Sequence, residues 1–187
     1  NPVFLLENAL ATRGAVLARA FVGSPTLGSA QFCTNPALVI AVAGHRCQGV
    51  TKWFLDDEEV TVDGWNKVTT GKYANAAWLW FQRGLDSETA NATFVSECGG
   101  KWTADHKGNG IAAIYAKFQL TDEVIEAGMP NITAEIEGKD DILDPRDDST
   151  GYTNNAALVF YDWMQIPREE GGFGAYADEI PDDDWIS

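Results

Sequence analysis

The sequence has 187 residues, of which 45% are hydrophobic and 11% aromatic, and a formal net charge of −15. That is enough apolar material for one packed domain, or one domain with a smaller second element, and it excludes a disordered chain. The charge excludes recognition of a nucleic-acid backbone by a basic face, and no apolar run approaches the roughly 20 residues that cross a bilayer as a helix, so stable membrane insertion is not expected.

The opening Asn1-Pro2-Val3-Phe4-Leu5-Leu6 has neither a basic start nor a small-residue cleavage site, so no secretory signal is read there. Ala15 to Val22 reads as a strand stopped by Gly23-Ser24-Pro25. Pro36 to Gly44 is a continuous Val- and Ile-bearing run, short enough to favour a buried strand over a helix. Val50 to Leu55 and Val60 to Val62 read as a hairpin joined by four acids, Asp56-Asp57-Glu58-Glu59. Ala77 to Phe81 is a further strand, with Trp78, Trp80 and Gln82 on one face and Leu79, Phe81 and Arg83 on the other. Ser87 to Glu97 is expected as a short helix capped by Ser87 and ended by Gly99-Gly100.

Ile111 to Leu120 reads as a long strand, and Ile132 to Glu137 alternates as a strand with one wet face does. Asp140 to Tyr152 is expected as a turn-rich connection. The pattern then changes to helical spacing from Asn155 to Met164, with Leu158, Tyr161 and Gln165 on one stripe, Asn154 as the expected N-cap and Pro167 as the stop. The loop Gly171-Gly172-Phe173-Gly174-Ala175 lacks the Lys and Ser/Thr of a phosphate-binding loop. The fold class expected is mainly β, an antiparallel barrel or sandwich with a helix near the C-terminal end. Residues 1–14 read as an N-terminal extension, 15–139 as the β-rich domain, and 140–187 as an acidic connection and helix beginning a further domain. From Glu135 onward there are 15 acids and 3 bases, so most of the negative charge lies in this last part.

Candidate chemistry is sparse. His45 and Cys47, two apart in a strand, would share a face, but the further ligands that a zinc or iron–sulfur site needs at short spacing are missing. Three cysteines, Cys33, Cys47 and Cys98, do not describe a disulfide framework, so reduced, buried thiols are expected. Glu97 and Asp105 are the least implausible carboxylate pair for glycoside hydrolysis, yet neither is framed by apolar residues that would raise its pKa. His45 and His106 have no nucleophile-elbow serine. Trp53, Trp65, Trp78, Trp80 and Trp102 would make a sugar-stacking platform if several were exposed, although Trp in β-rich domains mostly belongs to the core. Asn91 and Asn131 begin short glycosylation-type triplets, a pattern too common to carry weight. No catalytic residue, cofactor or metal is therefore expected.

Three stretches carry a family resemblance. The first is the apolar strand Leu38 to Ala43 with the polar turn Gly44-His45-Arg46, leading to Leu55-Asp56-Asp57-Glu58-Glu59-Val60. The second is Gly100-Lys101-Trp102-Thr103-Ala104-Asp105-His106 followed by Gly110-Ile111-Ala112. The third runs from Pro130 through Glu137-Gly138-Lys139, Asp144-Pro145-Arg146 and Thr150-Gly151-Tyr152 to Asn155-Ala156-Ala157-Leu158, with Gly172-Phe173-Gly174-Ala175 after it. Their order, from about residue 15 to the end, resembles the phage tail-hub family, which includes lambda-type tip attachment (host-specificity) proteins.

The resemblance implies a structural, non-enzymatic protein of the virion tail tip, assembled in the bacterial cytoplasm. It would act as a homotrimer that joins distal tail or tail-tube proteins to other tip proteins and helps close the channel before genome delivery. Lambda-type members run far longer, so receptor contact is not carried over. A carbohydrate-binding module of a phage or bacterial surface protein is the alternative. At the C-terminal end, Pro181-Asp182-Asp183-Asp184-Trp185-Ile186 reads as the start of a helix too short to stand alone, so continuation of the chain or a partner is expected.

Overall fold

The protein is described by a computed structural model that covers residues 18–21, 35–122, 124, 129–176 and 179–180. The chain divides into two compact units, Asn1–Ile136 and Glu137–Ser187. No helix among the described residues is long and apolar enough to cross a membrane.

The first unit is built from strands whose side chains alternate between two environments. One sheet has the order β1-β2-β6-β5, from β1 (Ala18–Phe21), β2 (Ala37–Ala43), β5 (Ala77–Gln82) and β6 (Ala112–Phe118), all antiparallel. The other has the order β4-β3-β7, from β3 (Cys47–Leu55), β4 (Glu58–Val60) and β7 (Ile132–Lys139). Leu38 and Ile40 of β2, Leu79 of β5 and Ile114, Ala116 and Phe118 of β6 form a single core with Trp53, Leu55, Val60 and Ile132 of the second sheet. The molecule is thus mainly β and sandwich-like, and the described strands do not close into a barrel. Each large apolar side chain buried in such a core contributes roughly 1.5–3 kcal/mol.

On the outer face of the first sheet, Ala113 and Tyr115 meet Phe94 and Cys98, with Val39, Trp80 and Trp102 beside them. Phe94 lies on α1 (Ala92–Glu97), a helix of 6 residues whose N-cap is Asn91. The Asn91 side chain accepts from the Thr93 and Phe94 N–H groups at 3.1 and 3.2 Å. Ser87 is not the cap. Glu88 Oε1 instead accepts from the Gly84 and Leu85 N–H groups at 3.0 and 2.9 Å, which holds this stretch as a loop and delays the helix.

The hairpin β3–β4 turns on two residues, not four. Asp56 and Asp57 take φ of 53° and 64°, the left-handed pair that matches strand twist, while Glu58 and Glu59 belong to β4. Asp56 also pins the tip. Its carboxylate accepts from Tyr73 Oη at 2.8 Å and from the Asn131 N–H at 2.9 Å.

In the second unit, residues 140–152 are not a plain connection. They form an antiparallel hairpin, β8 (Ile142–Asp144) with β9 (Ser149–Gly151). Helix α2 (Ala156–Gln165) follows, capped by Asn155 rather than Asn154. The Asn155 side chain accepts from the Ala157 N–H at 2.9 Å, and its own N–H is held by Thr153 Oγ1 at 3.1 Å. Leu158 buries against Ile142, flanked by Ala157 and Tyr161. The expected short helix from Pro181, and residues 15–17 and 22 of the expected first strand, lie outside the described residues.

Candidate functional site

The chemistry-bearing candidates of the sequence are held apart or occupied. Cys47 Sγ and His45 Nδ1 do approach, to 3.8 Å, but Cys47 is buried and Nδ1 also lies 2.9 Å from the Arg46 carbonyl. Among the described residues no cluster of three or more His, Cys, Asp or Glu is placed to hold a metal. Glu97 accepts from Lys117 Nζ at 3.0 Å, and the same ammonium sits 4.4 Å from the Trp78 ring centroid. Asp105 is exposed in the turn from Thr103 to His106, where His106 Nδ1 accepts from the Thr103 N–H at 3.0 Å and the imidazole stacks on Trp102. Neither Glu97 nor Asp105 lines the open cleft of about 670 Å³ between Asp86–Ala90, α1 and Ala104–Asn109.

The tryptophans do not form a platform. Trp53 is buried in the sandwich core, Trp78, Trp80 and Trp102 are half-buried, and of the five only Trp65 is exposed, at 84%. The acidic tip is structural. The Asn131 N–H, then the Tyr73 hydroxyl, holds the Asp56 carboxyl below its ordinary range. Burial, then Asp56, pushes the Tyr73 phenol up to about 12.

Cys98 overturns the expectation of reduced thiols. It is disulfide-bonded at the end of α1, where it is buried, whereas Cys47 forms no disulfide. A helix of 6 residues is too short to hold itself, and a cross-link at its C-cap is a covalent restraint on it. Cys33 lies outside the described residues.

What the fold does present is a surface on the second unit. Residues facing Ile142 form the small core, and the other side of α2 carries aromatics. Phe160 stacks on Trp163 at 5.7 Å between centroids, and Trp163 meets Phe173 at 6.0 Å. Phe160 and Phe173 are 43% and 52% exposed. The glycine-rich loop builds this ladder by capping α2. The N–H groups of Phe173, Gly174 and Ala175 donate to the carbonyls of Trp163, Ile166 and Met164 at 3.2, 2.9 and 2.8 Å. Glycine is required at 172, because a Cβ there would meet the Ile166 carbonyl oxygen at 2.1 Å, and Gly171 takes φ of 91°. Trp163 Nε1 donates to the Gly171 carbonyl at 3.2 Å, and Arg168 Nε donates to the Phe173 carbonyl at 2.9 Å.

The second unit is acidic in composition. From Glu137 to Ser187 there are 14 acids and 3 bases, a net −11. The bases are engaged locally. Lys139 Nζ lies 2.6 Å from Asp162 Oδ1 and 3.8 Å from Asp141. Arg146 makes a two-pronged contact to Asp144, at 2.8 and 2.6 Å, which holds the Asp144 carboxyl at about 2. The sequence signal for this surface was present, since Phe160, Tyr161 and Trp163 spread aromatics over more of the helix than one buried stripe needs.

No family model matches the chain. A stretch of 44 residues is 59% identical to alpha-ketoglutaric semialdehyde dehydrogenase 2 of Azospirillum brasilense. The match takes in 24% of this chain and spans only 8% of the length of that protein. A segment that short supplies no argument for dehydrogenase activity in a chain whose candidate acids and histidines are arranged as described above.

Proposed function

We propose that this chain is a structural subunit of a tailed-phage tail tip, of the tail-hub type, working as one member of a three-fold ring. The ring would join the tail tube or distal tail to the tip and help keep the channel closed before genome delivery. The observation that carries the reading is the third resemblance stretch, Pro130 to Ala175. Its parts are elements with separate structural jobs: a strand, an Asp-Pro-Arg turn locked by Arg146, an Asn-capped helix and a glycine loop that caps it. Their outcome is an aromatic surface, the composition of a protein interface core, and not a cleft with paired acids. The Cys98 disulfide accords with a particle that persists outside the cell, where such bonds survive.

The test is compositional. Purified tail particles are analysed by mass spectrometry, and the isolated chain is weighed by native mass spectrometry with and without its tail-tube protein. The expected result is the chain in the tail at three copies, forming a trimer alone or on the tube protein. Absence from the tail, or a monomer with only small contacts in the particle, sinks the proposal, since an obligate ring interface buries on the order of 2,000 Å² or more.

A further inference from the structure

We infer that Trp65 of one copy of this chain seats in the cleft between Asp86–Ala90, α1 and Ala104–Asn109 of a neighbouring copy. The inference deepens the tail-hub reading and rests on it, since that reading puts copies of the chain in contact around a ring.

The knob is rigid. Trp65 is 84% exposed, yet its backbone is fixed. Asp63 Oδ1 accepts from the Trp65 and Lys67 N–H groups at 2.8 and 2.9 Å. The Asp63 N–H donates to the Lys67 carbonyl at 2.9 Å, and the Leu79 N–H donates to the Asn66 carbonyl at 2.8 Å, which ties the tip to β5. Single exposed apolar residues are ordinary on protein surfaces. This one is a tryptophan on a locked turn, so docking it costs little backbone freedom, and Trp is enriched among the residues that carry binding energy.

The hole is preformed. Glu88 holds one wall through the Gly84 and Leu85 N–H groups, and Asn91 caps the helix that forms the second. Gln82, itself buried, holds the third. Its Nε2 donates to the Lys107 and Gly108 carbonyls at 2.9 and 3.0 Å, while Tyr115 Oη donates to its Oε1 at 3.0 Å. The cleft, at about 670 Å³, lies within the roughly 300–1,000 Å³ of sites that take a compact group. The described residues that line it include no aromatic ring on which a sugar would stack, and Trp65 of the same chain is not among them.

Charge sets the occupant. In sequence, Asp63 and Lys67 stand on either side of Trp65, and the cleft has Asp86 on one wall and Lys107 on another. None of these four is in an ion pair among the described residues. A seated ring brings Lys67 to Asp86 and Asp63 to Lys107, two attractive pairs in one orientation and two repulsive pairs in the reverse. Knob and hole are different patches of one chain, and contacts of that kind run head to tail and close into rings.

The experiment uses the full chain in two isotope forms, mixed and assembled alone and with the tail-tube protein. A photo-activated phenylalanine analogue replaces Trp65, which keeps a ring at the tip. The expected product joins residue 65 of one isotope form to residues 86–96 or 104–109 of the other. A trimer in which residue 65 links elsewhere on the chain, to the tube protein or to nothing overturns the inference and leaves the tail-hub reading standing. Copies that assemble in neither setting overturn both. Trp65→Ala should weaken assembly about thirtyfold, the loss of a Trp anchor. Lys67→Glu should weaken it about fivefold, and adding Asp86→Lys should restore it. Hydrogen exchange at Leu79 and Phe118 reports that each variant is folded. Unchanged assembly of folded Trp65→Ala, or a double variant no better than Lys67→Glu alone, also overturns the inference.

Discussion

Trp65 apart, the first unit covers its described aromatic residues, whereas the second leaves most of its described ones exposed. In the first, Tyr73, Phe94, Tyr115 and Phe118 are each 2% exposed or less, enclosed by strands that bury both faces of β6. In the second, Tyr152, Phe160, Phe173 and Tyr176 are 41%, 43%, 52% and 75% exposed, and the core is little more than Ile142 against Leu158. The difference follows from size. A chain segment of this length has too little volume to enclose large rings, so local hydrogen bonds, caps and ion pairs hold its shape while the rings face outward. One unit therefore stores stability and the other presents a surface.

That contrast can be broken most directly in the sandwich. Phe118→Ala should cost about 3–5 kcal/mol in urea unfolding, because Phe118 is fully enclosed and its removal leaves a cavity. A loss under about 1 kcal/mol would mean that the two sheets do not share one packed core. Leu158→Ala should cost about 2–3 kcal/mol and act locally. Hydrogen exchange should quicken across residues 142–165 while 37–118 keep their protection. If both regions lose protection together, the units are not separate in energy.

Acid sharpens the comparison further. The folded Asp144 carboxyl titrates at about 2, below its ordinary 3.8, because Arg146 binds the charged form. A depressed carboxylate stabilises the fold above the unfolded pKa, and the contribution disappears as pH falls through the folded one. The β8–β9 turn should therefore loosen between about pH 4 and pH 2, seen as broadening of the Arg146 Nε–H resonance. Arg146→Ala should move the Asp144 titration upward; an unmoved midpoint would deny the Arg146 contact its role. The smallest effect belongs to Trp65→Ala, which should change stability by less than about 0.5 kcal/mol, since this ring is almost wholly in solvent. A larger loss would show that Trp65 has a structural partner.

Much of the sandwich was legible in advance because period-two alternation and burial report the same thing. Leu79 and Phe81 were assigned one face of β5 and Trp80 and Gln82 the other, and Leu79 enters the core while Trp80 and Gln82 pack outside it. The β8–β9 hairpin was not legible. Strands of 3 residues each, around Pro145 and next to Gly151, have no periodicity to read, and Ile142 becomes a strand residue only because Leu158 packs on it. Helix caps shifted for similar reasons. Asn154 and Asn155 are equal candidates by type, and the hydroxyl of Thr153 decides between them. Ser87 lost its place to Asn91 because Glu88 had already claimed the backbone N–H groups of the preceding turn. The state of Cys98 was missed because three widely spaced cysteines show no paired spacing to read.

The sequence by itself determined the β class, the acidic imbalance toward the C-terminal end, the position of the terminal helix and the want of ligand spacing around His45 and Cys47. Those are properties of neighbouring residues, written in alternation, composition and intervals. Only the tertiary structure decided that Glu97 is tied to Lys117, that one of five tryptophans is exposed, and that the glycine loop folds back to cap α2 and aligns Trp163 with Phe173. Each of these depends on which side chain reaches a partner first across a fold, and that competition is settled by packing rather than by order along the chain.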